Sequence, residues 1–155
     1  MNICFHKFAI NSLFPLLLVI ASPSIVAAGE DQSQASLYER LGGYNAISAV
    51  VDDVVVQIAA DEKLGRFWAH RGKDGIAREK QLIVDFIVAK AGGSLYYRGR
   101  EMKLSHEGMQ IDEKDWEILI GALKNTLHKF KVPAQESREV LEFFDTTKTD
   151  IVEKS

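Results

Sequence analysis

Apolar residues recur at three- and four-residue intervals along most of this chain, and that spacing sets its fold class. Between Asn45 and Ala60 the many valines suggest a strand by propensity. Strand alternation, however, would put Asp52 on one face with Val50 and Val54, and Asp53 with Val51 and Val55. Helical spacing places Ile47, Val50, Val51, Val54, Val55 and Ile58 on one stripe and leaves Asp52, Asp53 and Gln57 off it. A second helix is predicted from a cap at Asp74 to Ala91, with Ile76, Ile83, Val84, Ile87 and Ala91 on one face and Phe86 at its flank. A third begins after Asp112, with Trp116, Leu119, Ile120, Leu123, Leu127 and Phe130 in one stripe. In the last, Pro133 suits the first turn and Val140, Phe144, Thr147 and Ile151 share a face.

The intervals between these helices carry their own signals. Ser36-Leu37-Tyr38-Glu39 has the form of a capping box, so a short helix starts there and stops at Gly42-Gly43. Phe67 and Trp68 put two large rings beside a polar turn, a pattern that marks a core corner. Gly92-Gly93 ends the second helix, and Ser94 to Gly99 forms a loop whose Tyr96 and Tyr97 bring rings with polar tips to a pocket edge. A short helix-like segment comes next, with Met102 one turn before His106 and Gly108 just after it. No repeat or convincing strand pair is present, so the class is all-α.

The first residues differ in kind. Met1 to Lys7 carries one positive charge and no acid, Phe8 to Ile20 is almost wholly apolar, and Val26-Ala27-Ala28 offers small residues before Gly29. The pattern predicts a secretory signal peptide over 1–28, and so a periplasmic or secreted protein without stable membrane association after cleavage. An uncleaved anchor is the alternative. A tether over 29–35, a domain over 36–152 and a tail over 153–155 complete the expected organisation. Cleavage would remove Cys4, the single cysteine, so no disulfide and no thiolate metal site would remain. It would also remove Lys7 and no acid, taking the net charge from −3 to about −4. Without a dense basic run, nucleic acid is excluded as a partner.

That leaves three histidines, His70, His106 and His128, far apart and without an H-x-x-x-H pair, which supports no tetrahedral zinc site. His70 lies in a polar loop and His128 off its helix's apolar stripe near a C-terminus, and both read as surface residues. His106 is the one set among apolar neighbours, although by itself it reads first as a satisfied surface or core histidine. Haem iron takes four nitrogens from its porphyrin and needs one axial histidine and an apolar slot, which an all-α chain with one well-placed histidine can supply. The carboxylates Asp52-Asp53 and Asp61-Glu62 read as solvated helix faces and ends.

Several blocks together are highly specific: Ser36 to Gly43, Val50-Val51-Asp52-Asp53, Ala60-Asp61, Phe67-Trp68, Gly92-Gly93, Tyr97 to Lys103 with His106-Glu107-Gly108-Met109 and Ile111, and Val132-Pro133. Through them residues 36–152 resemble the truncated haemoglobins of the first group. The resemblance implies a two-over-two helical sandwich around haem b, with the Asn45–Ala60 and Asp74–Ala91 helices over the distal side. It makes His106 the proximal iron ligand and Phe67 a ring packed on the porphyrin, with Met102 and Tyr97 beside it. Arg100 and Lys103 fall where the family meets the haem propionates. Many first-group members carry a distal tyrosine where this chain has Val55. Glu79 and Ile83 are placed towards the ligand and Ile87 deeper, and Glu79 is expected to turn to the pocket mouth and solvent, because a buried unpaired carboxylate is costly.

The function implied is binding of a diatomic gas such as oxygen, nitric oxide or carbon monoxide at that iron. Nitric oxide dioxygenase or peroxidase-like chemistry, which needs a redox partner, is one alternative. A haem-free helical interaction module is the other.

Overall fold

The computed structural model describes residues 35–154, and the expected signal peptide lies outside the described residues. Among the described residues six helices occur in order: α1 (Leu37–Arg40), α2 (Gly43–Ala60), α3 (Lys73–Lys90), α4 (Met102–His106), α5 (Glu113–Lys129) and α6 (Ala134–Ile151), with a 3-10 turn at Leu64–Phe67 between α2 and α3. The all-α expectation is met.

Two capping boxes set the starts of α1 and α5. The Ser36 hydroxyl accepts from the Glu39 N–H while the Glu39 carboxylate accepts from the Ser36 N–H, and Asp112 and Asp115 do the same for α5. Each box satisfies two backbone donors that a helix start otherwise leaves orphaned. Between α1 and α2 both Gly42 and Gly43 take left-handed backbone angles, φ 89° and 77°, so the chain turns and re-enters a helix at once. Two expected boundaries shift. Asp74 lies inside the first turn of α3, which starts after Gly72 without a side-chain cap. Pro133 precedes α6 as its N-cap and is not part of its first turn.

α2 packs on both α3 and α5, α5 packs on α6, and α4 lies against α6. The pairs α2/α3 and α5/α6 therefore meet through α2 and α5. One polar knot fixes that meeting: Asp53 accepts from the fully buried Thr126 hydroxyl at 2.8 Å, from Gln57 at 2.9 Å and from Lys129 at 2.5 Å. Burying a hydroxyl is tolerable only with such a partner. Asp53 is thus part of the packing, whereas its neighbour Asp52 is exposed, as expected, and pairs with Lys80 at 2.8 Å.

Three apolar clusters result. Val54, Ile58, Leu64, Leu123, Leu127 and Val140 join α2 to α5 and α6, and Ile47, Val51, Val55, Val84 and Val88 join α2 to α3. Ile111, Trp116 and Ile151 close the far side. Phe130, expected in the α5 stripe, falls one residue past the end of the helix and is 43% exposed. Glu153 and Lys154, in the C-terminal tail, bond back to Ile111, the Glu153 N–H donating to its carbonyl at 2.9 Å and the Lys154 N–H at 3.2 Å.

Candidate functional site

The three clusters do not meet in the middle. Their inward side chains border one cavity of about 600 Å³, walled by Val51, Val54 and Val55 of α2, Ile83 and Ile87 of α3, and Trp116, Leu123 and Ile151 of the second helix pair. Protein interiors are otherwise close-packed, and voids beyond one water are few. This one has room for roughly twenty waters at about 30 Å³ each, behind walls that are mostly apolar. Its size is that of a cofactor site.

His106 lines this cavity at the end of α4, half-buried, with Met102 and Ser105 of the same helix. Its Nδ1 lies 2.8 Å from the Met102 carbonyl oxygen. A carbonyl can only accept, so Nδ1 carries the proton, and in the neutral ring Nε2 keeps its lone pair. A carbonyl partner of this kind fixes ring and tautomer in metal-bound histidines generally. Among the described residues no group of three or more His, Cys, Asp or Glu side chains is placed to hold a bare metal ion, so a metal here needs most of its ligands from a cofactor.

The wall above α2 and α3 is apolar apart from Glu79. That carboxylate meets Arg71 at 2.6 Å, and both side chains are more than a third exposed, so it faces the mouth as the sequence suggested. Its partner was not foreseen, because Arg71 belongs to an irregular connection with no periodicity. Other polar groups near this wall are committed elsewhere. Lys80 holds Asp52, and the Tyr97 hydroxyl donates to the Arg100 carbonyl at 3.0 Å while its ring meets Phe86 edge-on at 5.2 Å. Burial, and then the charges of Glu101 and Glu79, push the Tyr97 phenol above its ordinary pKa, so it stays neutral. Tyr96 is 83% exposed.

Phe67 enters from the 3-10 turn, with the Arg66 guanidinium 4.1 Å from its ring centre. That turn is anchored twice. Asp61 accepts from the Lys63 and Leu64 N–H groups at 2.8 and 2.9 Å, and Arg66 forks onto Asp115 at 2.9 and 2.5 Å.

Of the residues expected around the cofactor, the cavity brings together His106, Phe67, Met102, Arg100, Tyr97, Val55, Ile83 and Ile87. Lys103 is not among them: it is exposed and does not border the cavity. Trp68, Met109, Trp116 and Phe144 also line it. Trp116 and Phe144 were visible as stripe residues, but a stripe does not distinguish a packed neighbour from a cavity.

The family model of the bacterial-like globins matches residues 36–153. The chain is a bacterial-like globin. A group 1 truncated hemoglobin of Mycolicibacterium paratuberculosis is 32% identical over 117 residues, covering 76% of this chain and 84% of that relative, and places the globin in the first group. The crystal structure of truncated hemoglobin from Tetrahymena pyriformis in its Fe(III) form superposes with a TM-score of 0.70 at 26% identity, covering 76% of this chain and 98% of the other. The 2/2 hemoglobin of a Synechococcus species, solved in the cyanomet state with covalently attached heme, gives 0.69 at 27% identity, with the same 76% and 98% covered. The globin therefore has the two-over-two fold and haem as its cofactor. Its donor set fits that group, with one imidazole nitrogen free, apolar walls, and Arg71 and Arg100 as the cavity's cations.

Proposed function

We propose that this globin holds haem iron through Nε2 of His106 and takes a diatomic gas, oxygen or nitric oxide, against an apolar distal wall that releases polar ligands readily. The bond from His106 Nδ1 to the Met102 carbonyl carries the reading, because it turns a histidine that lines the cavity into a ligand of defined tautomer. When bound, haem would supply an iron centre that takes a small gas. Met102 and Phe67 pack as apolar surface beside it. Among the described residues that line the cavity, Arg100 is a cation outside any ion pair and suits a haem carboxylate, since Arg71 is already paired with Glu79.

On the opposite side, the cavity-facing residues of α2 and α3 offer no free hydrogen-bond donor. Val51, Val54, Val55, Ile83 and Ile87 have none, and Glu79, ion-paired with Arg71, only accepts. In a site of low dielectric a donor to a polar diatomic ligand counts for more than in water. Restoring one in Val55→Tyr should slow oxygen release about two- to tenfold, the equivalent of a net hydrogen bond of about 0.5–1.5 kcal/mol, with carbon monoxide release changed less. Stopped-flow oxygen release from both proteins checks this. Equal rates would mean that another group, such as the Trp68 indole N–H at the wall, already supplies the bond, and the apolar reading would fall.

The globin domain is, in the same proposal, exported. The charged start, apolar run and Val26-Ala27-Ala28 site support it. Mass spectrometry of the native protein should give an N-terminus near Gly29, whereas an intact Met1 on a cytoplasmic protein would contradict export.

A further inference from the structure

We infer that Glu153, beyond the end of α6, is a positioning residue for His106, an inference that rests on the proximal role proposed above. The helix that presents His106 has five residues, too few to hold its own geometry in isolation. The turn after this helix needs support, since Gly108 stands at φ 81° and Gln110, a residue with a Cβ, at φ 57°. The Glu153 carboxylate spans this turn. One oxygen accepts the Gly108 N–H and the other accepts the Gln110 N–H at 2.7 Å, so two amides converge on one anion. Around this clamp the Lys154 ammonium donates to the Gln110 side-chain oxygen at 3.0 Å, and the Glu153 N–H donates to the Ile111 carbonyl at 2.9 Å.

The clamp reaches the cavity by a short route. Met109, between the two clamped amides, lines the cavity and donates its N–H to the His106 carbonyl at 3.0 Å, and Ile111 is both buried and a wall residue. An isolated surface carboxylate does little for a fold. This one is held by two amides of the turn that starts at the carbonyl of His106, so it limits how far the ring can tilt or retreat from the iron. Partners that bond a metal ligand directly typically change metal affinity 10- to 100-fold, and Glu153 stands further out, so its effect is expected at about 10-fold, the lower end of that range.

The test uses the full haem-loaded chain. In Glu153→Ala, haem transfer to an excess of an acceptor apoglobin should be about 10-fold faster than in wild type. The iron–histidine stretching band of the ferrous form, read by resonance Raman, should shift or broaden. Glu153→Gln, which keeps one accepting oxygen, should lie between. Glu113→Ala, which removes the 2.7 Å pair between Glu113 of α5 and Lys148 of α6, serves as the control and should leave the band in place. A band at the wild-type position and unchanged haem transfer in Glu153→Ala and Glu153→Gln would overturn the inference while leaving His106 as the ligand. A wild-type protein with no iron–histidine band would remove the proximal role itself. If Glu153→Ala fails to fold, the Gln variant decides by the same two readings.

Discussion

His106→Ala is expected to lose stable haem while keeping most of its helix. The axial bond disappears with the ring, and the loss in haem affinity should exceed the ~10- to 100-fold typical of residues that only support a ligand. The fold should survive, because His106 belongs to none of the three apolar clusters and α4 is a five-residue element at their edge. His70→Ala and His128→Ala should change neither property, since both side chains are exposed and neither borders the cavity. Absorbance after gel filtration of the haem-loaded chain, with far-ultraviolet circular dichroism beside it, checks all three. Haem retained through a nitrogen ligand in His106→Ala would defeat the assignment.

The second large effect is expected at Asp115, which is 1% exposed and carries more of the site than its place on α5 suggests. Its carboxylate takes the Arg66 fork, meets Lys63 at 3.1 Å and completes the α5 capping box by accepting the Asp112 N–H at 3.1 Å. Asp115→Ala leaves Arg66 and Lys63 without this partner, but both are exposed enough for water to replace it. The cost is then that of the lost charge-assisted bonds, about 2–3 kcal/mol rather than that of a stranded buried charge. Because Arg66 also lies over Phe67, haem loss should accelerate too.

This contribution depends on pH. The Arg66 guanidinium, helped by the Asp112 N–H and Lys63, holds the Asp115 carboxyl well below its ordinary value of 3.8 against the opposing effect of burial. A pKa lowered by folding gives stability that is fully present above the unfolded value and is lost as pH falls towards the folded one. The stability gap between wild type and Asp115→Asn should therefore be constant from about pH 7 to 5 and shrink below about pH 4. Urea unfolding of both proteins across that range measures it. A gap that stays constant down to about pH 3 would show that the carboxylate's charge is not what Arg66 holds.

How much of this was legible in the sequence depends on how local each signal is. The helices were readable because α2 and α6 repeat their apolar positions over 18 residues each, and because Ser36 with Glu39 and Asp112 with Asp115 supply starts. Asp74 misled because Gly72 already opens α3 from an extended conformation, leaving the carboxylate inside the first turn. His106, Phe67 and Val55 were placed by the motif blocks. Lys103 was assigned with them, yet a five-residue helix has too little periodicity to say which face a side chain takes. The pairs that shape the site's edges could not be read locally: Arg71 meets Glu79 across an irregular connection, and Glu153 reaches amides 43 and 45 positions earlier. The cavity is likewise a property of where three clusters stop, which no single stripe records.

The central claim is that His106 supplies the iron's protein ligand inside this cavity. Resonance Raman of the ferrous, haem-loaded chain, grown with ordinary and with nitrogen-15 histidine, tests it most directly. The expected result is an iron–histidine band that moves on labelling, persists in His70→Ala and His128→Ala, and is absent from His106→Gly until imidazole is added. A labelled band that survives in His106→Gly without imidazole, or a wild-type protein with no such band, would contradict it.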